Sequence, residues 1–592
     1  MGRNTLRLYA PFIAVAVIQA LFITVAPSRP ATDAVVAGVA NDGVFGAGDG
    51  ISAGSGGEIT DDSFGLDDGE LSSGDGLSNS GGSVATGGST GSGGSTSTGG
   101  TGGTGGTGGG TGGTSGAVED RSHCKGEFQF DFLHSNPLCV PKWQGTDNGG
   151  ATYQGVTEDE IKVVFFGSIP NPAVDAILAS QGLARTEEDE EELFAAAEEF
   201  VNANYELYGR QIRIVERDDA DCPQTPPDPD KCLEAARKVL KEEKPFMVLW
   251  DSGLYPSVFN EFGRAGVVTL GGWHFAENYF TDFRPYRYDV FMDGTKSARM
   301  LGEWYCKNLA GGNATHSGRV IHQDIGVRGQ VQRRLGISVP DTDANIRTAE
   351  LVKQIVAECD PTAQEPVIVR YQSDIETAAS QADNTVAAYI DAGVTTITCM
   401  CDPIAPAFGS KAQTKNNYFP EILMAGIGLI DFDKLGRLYD SEQWTHAFGP
   451  SHLQVQPRHE DSDATRMFRA AGRDGEPCDS CNLPWAYVAL AASMVQGAGP
   501  TLTPANIEAG VQRSPGIGGW ERSGGNPHVV KVSFAPDDYT GLDDVKEVYW
   551  SEAATSSIDG QPPAYVNVDG GRRYEEGSLP GSFADRIPVA AR

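Results

Sequence analysis

From residue 161 onward the apolar positions fall into a regular alternation. Short runs of β-branched or apolar residues are followed by longer stretches in which apolar residues recur every three or four positions. Residues 161–166, 211–215, 246–250 and 267–270 read as strands, and the stretches up to about 208, 231–243 and 257–265 read as helices. The rhythm restarts near residue 295. A helix to about 309 is followed by strand 319–322, helix 345–359, strand 367–370, helix 375–392, strands 395–400 and 422–425, and a long helix over 484–497. Strands alternating with helices build parallel sheets, so the pattern predicts an α/β fold of two units, each with its own sheet. Ligands on such sheets bind at the carboxyl ends of the strands, and two such edges can face one another across a cleft.

Upstream the pattern changes twice. Residues 36–116 are dominated by Gly, Ser and Thr with scattered Asp. Such sequence buries too little apolar area to offset its ordering entropy, and a Gly-rich coil of about eighty residues spans roughly 50 Å. Before it, Arg3 and Arg7 precede an apolar run over 9–26, interrupted by Pro11 and Gln19. Positive charge and then an apolar segment reads as a signal peptide or signal anchor. No Cys lies in or just after the run, so a lipid-anchored form is not expected. The expected order is a signal segment over 1–27, a disordered tether over 28–118 and a Cys-stapled extension over 119–156. A two-lobed domain over 157–550 and a C-terminal tail over 551–592 follow. Everything beyond the signal segment is expected outside the cytoplasm, either secreted or held at the cell surface through that segment alone.

Composition narrows the partners. The net charge of −35 argues against nucleic acid, which needs clustered Lys and Arg. The acidic run 187–192 reads as the solvated start of a helix, where the helix dipole favours carboxylates. The ten Cys form an even set in a chain expected to be exported, so disulfides are the default. Spacing suggests Cys124 with Cys139, Cys222 with Cys232, Cys478 with Cys481 and Cys306 with Cys359. Cys399 and Cys401 stay open: one of them pairs with Cys478 or Cys481, or the two form a short bridge. The same four residues also fit a zinc set, and C-x-x-C alone fits a redox pair; structural bridging is the preferred reading. The Ser motifs at 50–54 and 87–91 match a nucleophile elbow only in pattern, since neither follows a strand. No H-E-x-x-H and no P-loop occurs. His446, His452 and His459 read as core or surface residues. No catalytic residue, metal or cofactor is expected.

Several stretches, taken in order, resemble the type I periplasmic binding proteins that serve branched-chain amino acid ABC transporters. Residues 216–222 with 230–236 resemble the family's segment between its second strand and helix, with 223–229 inserted and clipped by Cys222 and Cys232. Trp250, Asp251, Ser252 and Gly253 stand where the family has its ligand-binding Ser loop. Residues 266–273 match its next strand exit, 392–398 its A-G-x-D-x-V entry, 423–428 its Gly-rich turn and 483–487 its A-Y-D-A helix. The resemblance covers roughly residues 156–550. It implies two Rossmann-like lobes, 157–290 with 450–530 and 291–449 with 531–550. Three hinge strands near 288–293, 447–451 and 531–534 would join them, and a cleft would close on ligand.

The site implied by the resemblance keeps Ser252 but departs elsewhere. The family's Thr position holds Phe275, and its ammonium-binding acidic position holds Ile427. The cleft loops instead offer Asp251, Ser252, Gly253, Tyr255, Trp273, His274, Phe275, Asp324 and Asp402. Aromatic area and carboxylates of this kind suit a flat apolar ligand with a cationic or hydroxyl group. The expected function is a solute-binding protein, not an enzyme, that takes a small molecule and hands it to an ABC permease. The alternative is a surface-tethered sensor or cell-envelope module on the same fold.

Overall fold

A computed structural model describes residues 119–167, 171–217, 222–223, 228–250, 255–272, 274–316 and 331–587. The chain divides into two units, 1–110 and 111–592, and the described residues all lie in the second. The signal segment at 1–27, the tether at 28–118 and the strand expected at 319–322 lie outside the described residues. Among the described residues, no helix is long and apolar enough to cross a membrane.

The described chain forms two α/β lobes. In the first, β1 (Glu160–Phe166), β2 (Gln211–Arg217), β3 (Met247–Trp250), β4 (Val268–Gly271) and β5 (Arg287–Tyr288) make a parallel sheet in the order β2-β1-β3-β4-β5. Between them run α1 (Pro172–Ala179), α2 (Glu187–Asn204), α3 (Pro229–Glu242), α4 (Pro256–Arg264) and α5 (Asn278–Thr281). The acidic run does begin a helix: Thr186 caps α2 and forms a reciprocal capping box with Asp189.

The second lobe repeats the topology. After α6 (Gly294–Asn308) come β6 (Leu335–Pro340), α7 (Asp343–Cys359), β7 (Val367–Tyr371), α8 (Ala378–Ala392) and β8 (Thr396–Cys399). Then follow α9 (Ala405–Lys415), β9 (Glu421–Leu423), α10 (Asp433–Gly436), α11 (Ser441–Trp444) and β10 (Ala447–Ser451). The strands lie parallel in the order β7-β6-β8-β9-β10, the same 2-1-3-4-5 arrangement as in the first lobe. The first strand of this lobe, β6, is absent from the sequence-based reading, because Gly336, Ser338 and Pro340 break its apolar run.

The chain then returns. Three helices, α12 (Asp463–Ala470), α13 (Asn482–Ala498) and α14 (Pro504–Arg513), contribute Phe468, Trp485 and Ile507 to the first lobe's core. Trp485 meets Phe200 of α2 edge-on, with centroids 5.5 Å apart. The last passage is a hairpin in which Val532 pairs with Leu542. Phe534 and Tyr539 touch the first core, while Val530 and Leu542 touch the second. Its second arm runs beside the first passage: Asp289 donates to the Tyr539 carbonyl at 3.1 Å and accepts from Gly541 N–H at 2.9 Å.

Residues 551–587 fold onto the second lobe rather than trailing from it. Strand β12 (Ala564–Asn567) extends the sheet antiparallel to β11 (Asp544–Ser551), and β13 (Tyr574–Glu575) also pairs with β11. The short helix α15 (Phe583–Arg586) buries Phe583 in the second core, and Arg586 pairs with the buried Glu547. The stapled extension belongs to the first lobe. Its Phe130 packs edge-on against Phe200 and Tyr205.

Five disulfides are present: Cys124–Cys139, Cys222–Cys232, Cys306–Cys359, Cys399–Cys401 and Cys478–Cys481. Cys399 and Cys401 thus bridge each other, and the four sulfurs considered for zinc are taken up by two separate bonds.

Candidate functional site

In a 2-1-3-4-5 sheet the chain runs to opposite sides from its first and third strands, which leaves a crevice at their carboxyl ends. Both lobes have this crevice, between β1 and β3 and between β6 and β8. A cavity of about 1130 Å³ opens there, lined from the first lobe by Phe165, Asn171 and Trp485 and from the second by Ser338, Tyr371 and Asp402. Small-molecule sites commonly span about 300–1,000 Å³, so the space exceeds what a single amino acid needs.

The second-lobe wall is built on one carboxylate. Asp402 follows the Cys399–Cys401 bridge, and its Oδ1 accepts from the N–H groups of Ile404 and Ala405 at 3.0 and 2.9 Å. Its Oδ2 accepts from the Tyr371 hydroxyl at 2.7 Å and from Ser373 Oγ at 3.3 Å. Asp402 therefore orients the hydroxyls at the end of β7. Burial, together with the Asp402 charge, pushes the Tyr371 phenol well up, so that it stays a neutral donor. The loop holding Asp402 passes so close to Gly428 (φ +64°) that a Cβ there would stand 2.1 Å from the Cys401 carbonyl oxygen. Only glycine fits this approach.

A second disulfide braces the opposite wall. The Cys478–Cys481 loop presents Asp479 and Ser480 to the cavity. Asp479 forms an ion pair with Lys434 of α10, which reaches across from the second lobe. The Nδ1 of His459 lies 3.1 Å from its other oxygen. His452 also lines the cavity, is 2% exposed, and is held well below the usual histidine range by burial, which keeps the imidazole neutral.

The structure divides the sequence-derived candidates into three groups. Asp251, Ser252, Gly253, Trp273 and Asp324 lie outside the described residues. Asp402 is on the cavity wall. Tyr255, His274 and Phe275 are described but not on that wall. Phe275 is 1% exposed, edge-on to Phe259 in the first core. His274 is buried with Nδ1 2.7 Å from the Met292 carbonyl, and burial lowers its pKa to about 4. Tyr255 opens α4 and donates its hydroxyl to the Pro223 carbonyl at 3.2 Å. For His274 and Phe275 the local backbone is unusual: β4 runs into Gly271 and Gly272 at φ +139° and +129°, and His274 has φ +65°. Ile427, at the family's acidic position, packs in the second core.

Sequence reasoning missed Asn171, Tyr371, Ser373, Asp479 and Trp485. The disulfide spacing around Asp402 and Asp479 was a usable signal, because a short bridge fixes the residues at its shoulder.

No family model matches the chain, and no curated protein matches it. Solved structures that match include solute-binding proteins of ABC transporters and a periplasmic binding protein type 1. One is the solute-binding protein of an ABC transporter from R. palustris in complex with 4-hydroxybenzoate, 14% identical, covering 71% of this chain and 98% of its own, with a TM-score of 0.48. Another is a possible leucine/isoleucine/valine-binding protein from Rhodopirellula baltica SH 1, 12% identical, covering 70% and 97%, TM-score 0.47. A periplasmic binding protein type 1 from Bordetella pertussis Tohama I is 14% identical, covering 69% and 100%, TM-score 0.47. At such identities and TM-scores the likeness carries neither ligand nor activity to this chain.

Proposed function

We propose that this chain is an extracytoplasmic ligand-binding protein that holds a small molecule between its two lobes and passes it to an ABC permease. The observation that supports the reading is the cavity of about 1130 Å³ where the switch points of two like-ordered sheets face each other. The three chain passages between the lobes supply a hinge, and a ligand touching both walls favours the closed form by its differential affinity alone. Ser252 and Trp273 remain part of the proposal on sequence grounds, two positions beyond the last residues of β3 and β4.

The test is mass spectrometry of small molecules released on denaturing the purified protein, with small-angle scattering before and after their removal. A stoichiometric molecule and a larger radius of gyration once it is removed are expected. Scattering that is unchanged by removing and restoring a bound molecule would sink the closing-cleft mechanism and favour a static envelope module.

A further inference from the structure

The connection from β1 to α2 runs from residue 167 to residue 186, against the roughly 2–6 residues usual for a strand-to-helix loop. Its eight-residue helix α1, Pro-Ala-Val-Asp-Ala-Ile-Leu-Ala, is apolar, yet none of its residues is fully buried. The flanking elements belong to the first core, which holds Phe165 of β1 and Phe194 of α2. The connection itself leans on the other lobe. Leu183 is 6% exposed within the second lobe's apolar cluster beside Tyr389 and Ile397, and Leu178 packs against the same cluster. Between them the chain turns at Gly182 (φ +67°), where a Cβ would stand 3.6 Å from both Asp479 Oδ2 and Lys434 Nζ. The segment is a strap across the cleft, seated beside the ion pair that joins the two walls.

Asp175 is the one charged residue of α1, and it lies on the cavity wall. Leu178 follows it by three residues, so the two share a helix face. The Asp175 carboxylate has no hydrogen bond and no ion pair among the described residues, and burial raises its pKa with no cation nearby to offset it. The other carboxylates of the wall that are not fully exposed are committed. Asp402 holds Tyr371, Asp479 holds Lys434, Glu190 holds Arg185, Asp374 accepts from Thr377 Oγ1, and Asp463 accepts from the N–H groups of His134 and Ser135. The guanidinium groups on the wall leave nothing comparable for an anion. Arg121 donates to Glu119 and to the Cys139 carbonyl, Arg185 faces Glu190, and Arg513 is exposed.

Given that the cleft is the ligand site, we propose that its ligand is a cationic amphiphile: an apolar, aromatic-containing body bearing an ammonium or amidinium group that pairs with Asp175 under the strap. An uncommitted carboxylate in apolar surroundings discriminates for a cation, which it holds by charge-assisted hydrogen bonds, while the aromatic lining supplies area and cation–π attraction. A carboxylate ligand would meet Asp175 as a like charge.

The test uses the full chain and three probes of one shape: 3-phenylpropylamine, 3-phenylpropanol and 3-phenylpropanoate. Titration calorimetry is run on the unsubstituted protein, Asp175→Asn and Asp175→Glu. The amine is expected to bind tightest. Asp175→Asn should weaken the amine by at least about tenfold and leave the alcohol unchanged, with Asp175→Glu close to the unsubstituted protein. The molecule released from the denatured protein should be a cation. The proposal is overturned, with the cleft reading intact, if the released molecule or the tightest probe is neutral or a carboxylate. It is overturned in the same way if Asp175→Asn binds the amine unchanged. If nothing is released and no probe binds, the cleft reading itself fails and the proposal goes with it.

Discussion

Glu421 begins β9, the strand that leads toward the Gly-rich turn at the cleft, and its side chain is wholly buried against Arg333. Arg333 Nε and Nη2 donate to the two carboxylate oxygens at 2.8 and 3.0 Å. Thr396 Oγ1 donates at 2.6 Å, Thr315 N–H at 2.7 Å and Thr315 Oγ1 at 2.9 Å. Burial alone would raise the carboxyl's pKa, but the Arg333 charge and these donors outweigh it and hold Glu421 below the ordinary carboxylate range. Glu421→Gln keeps the shape and leaves Arg333 as a buried charge without a counter-ion. Breaking a buried pair from one side costs about 3–5 kcal/mol. For a lobe in the 150–250-residue range each kcal/mol is worth roughly 2–4 °C, so the variant's Tm should fall by about 10 °C at neutral pH. The folded pKa is depressed, so the carboxylate's stabilisation is present above the unfolded value of about 4.3 and fades as pH falls through the lower folded value. The gap between the two proteins should therefore narrow in acid. Replacing both partners, Arg333→Leu with Glu421→Met, should recover much of the loss, since no lone charge remains. Calorimetric or circular-dichroism melts at several pH values are the assay. A single-variant shift under about 2 °C, or a gap constant from neutral pH to pH 3, would falsify the argument.

Three further outcomes follow from buried contacts and bridges. Arg210 is 4% exposed and ties four carbonyls, those of Thr157, Pro500, Asn148 and Gly150, at 2.7–3.0 Å. Arg210→Met strands several of them at about 1–3 kcal/mol each, so urea unfolding should lose at least about 3 kcal/mol, and a loss below 1 would contradict this role. With all ten cysteines bridged, the unreduced protein should show no reactive thiol even in denaturant. Replacing Cys222 and Cys232 by Ser should cost about 2–4 kcal/mol from the loop they close; two or more free thiols in the unreduced chain would break the five-bridge set.

The alternation of the sequence carried most of the fold, because a buried parallel strand must be apolar along its whole length and its helix must not be. Val163 to Phe166 and Met247 to Trp250 satisfy that, and both lie in strands, with only Lys162 near the start of the first interrupting its apolar run. The same rule fails for β6. Ser338 gives its hydroxyl to the Thr398 carbonyl at 3.5 Å, and Gly336 is pressed against Tyr389 and Val394, so the strand meets its neighbours through small residues that carry no apolar signal. The end of the chain was misread for a similar reason. Residues 564–567, Ala-Tyr-Val-Asn, follow two prolines and carry only two strand formers, and what holds them is pairing with β11, a contact that exists only after the fold does.

The cavity wall was harder to read than the fold, and the difference is physical. Position in a sheet is set by pattern, but facing a cavity is set by how the chain leaves the sheet. Phe275 and His274 sit at the exit of β4, where an aromatic loop suggests a ligand. Two consecutive glycines at positive φ mark that exit, and there Phe275 packs in the first core while His274 is buried on the Met292 carbonyl instead. Asp402, also at a strand exit, stays on the cavity wall: its carboxylate accepts from the Ile404 and Ala405 N–H groups at the entry to α9, and the Cys399–Cys401 bridge fixes the approach. The rule that emerges is specific. An exit residue whose side chain is tied to the N–H groups at the entry of the next helix is held at the sheet's edge, while one that follows a glycine pair is free to fold under it. Asp175 belongs to neither kind. It rides on an inserted helix that only the strap's contacts with the second lobe bring over the cleft, and for that reason no strand-exit motif in the sequence pointed to it.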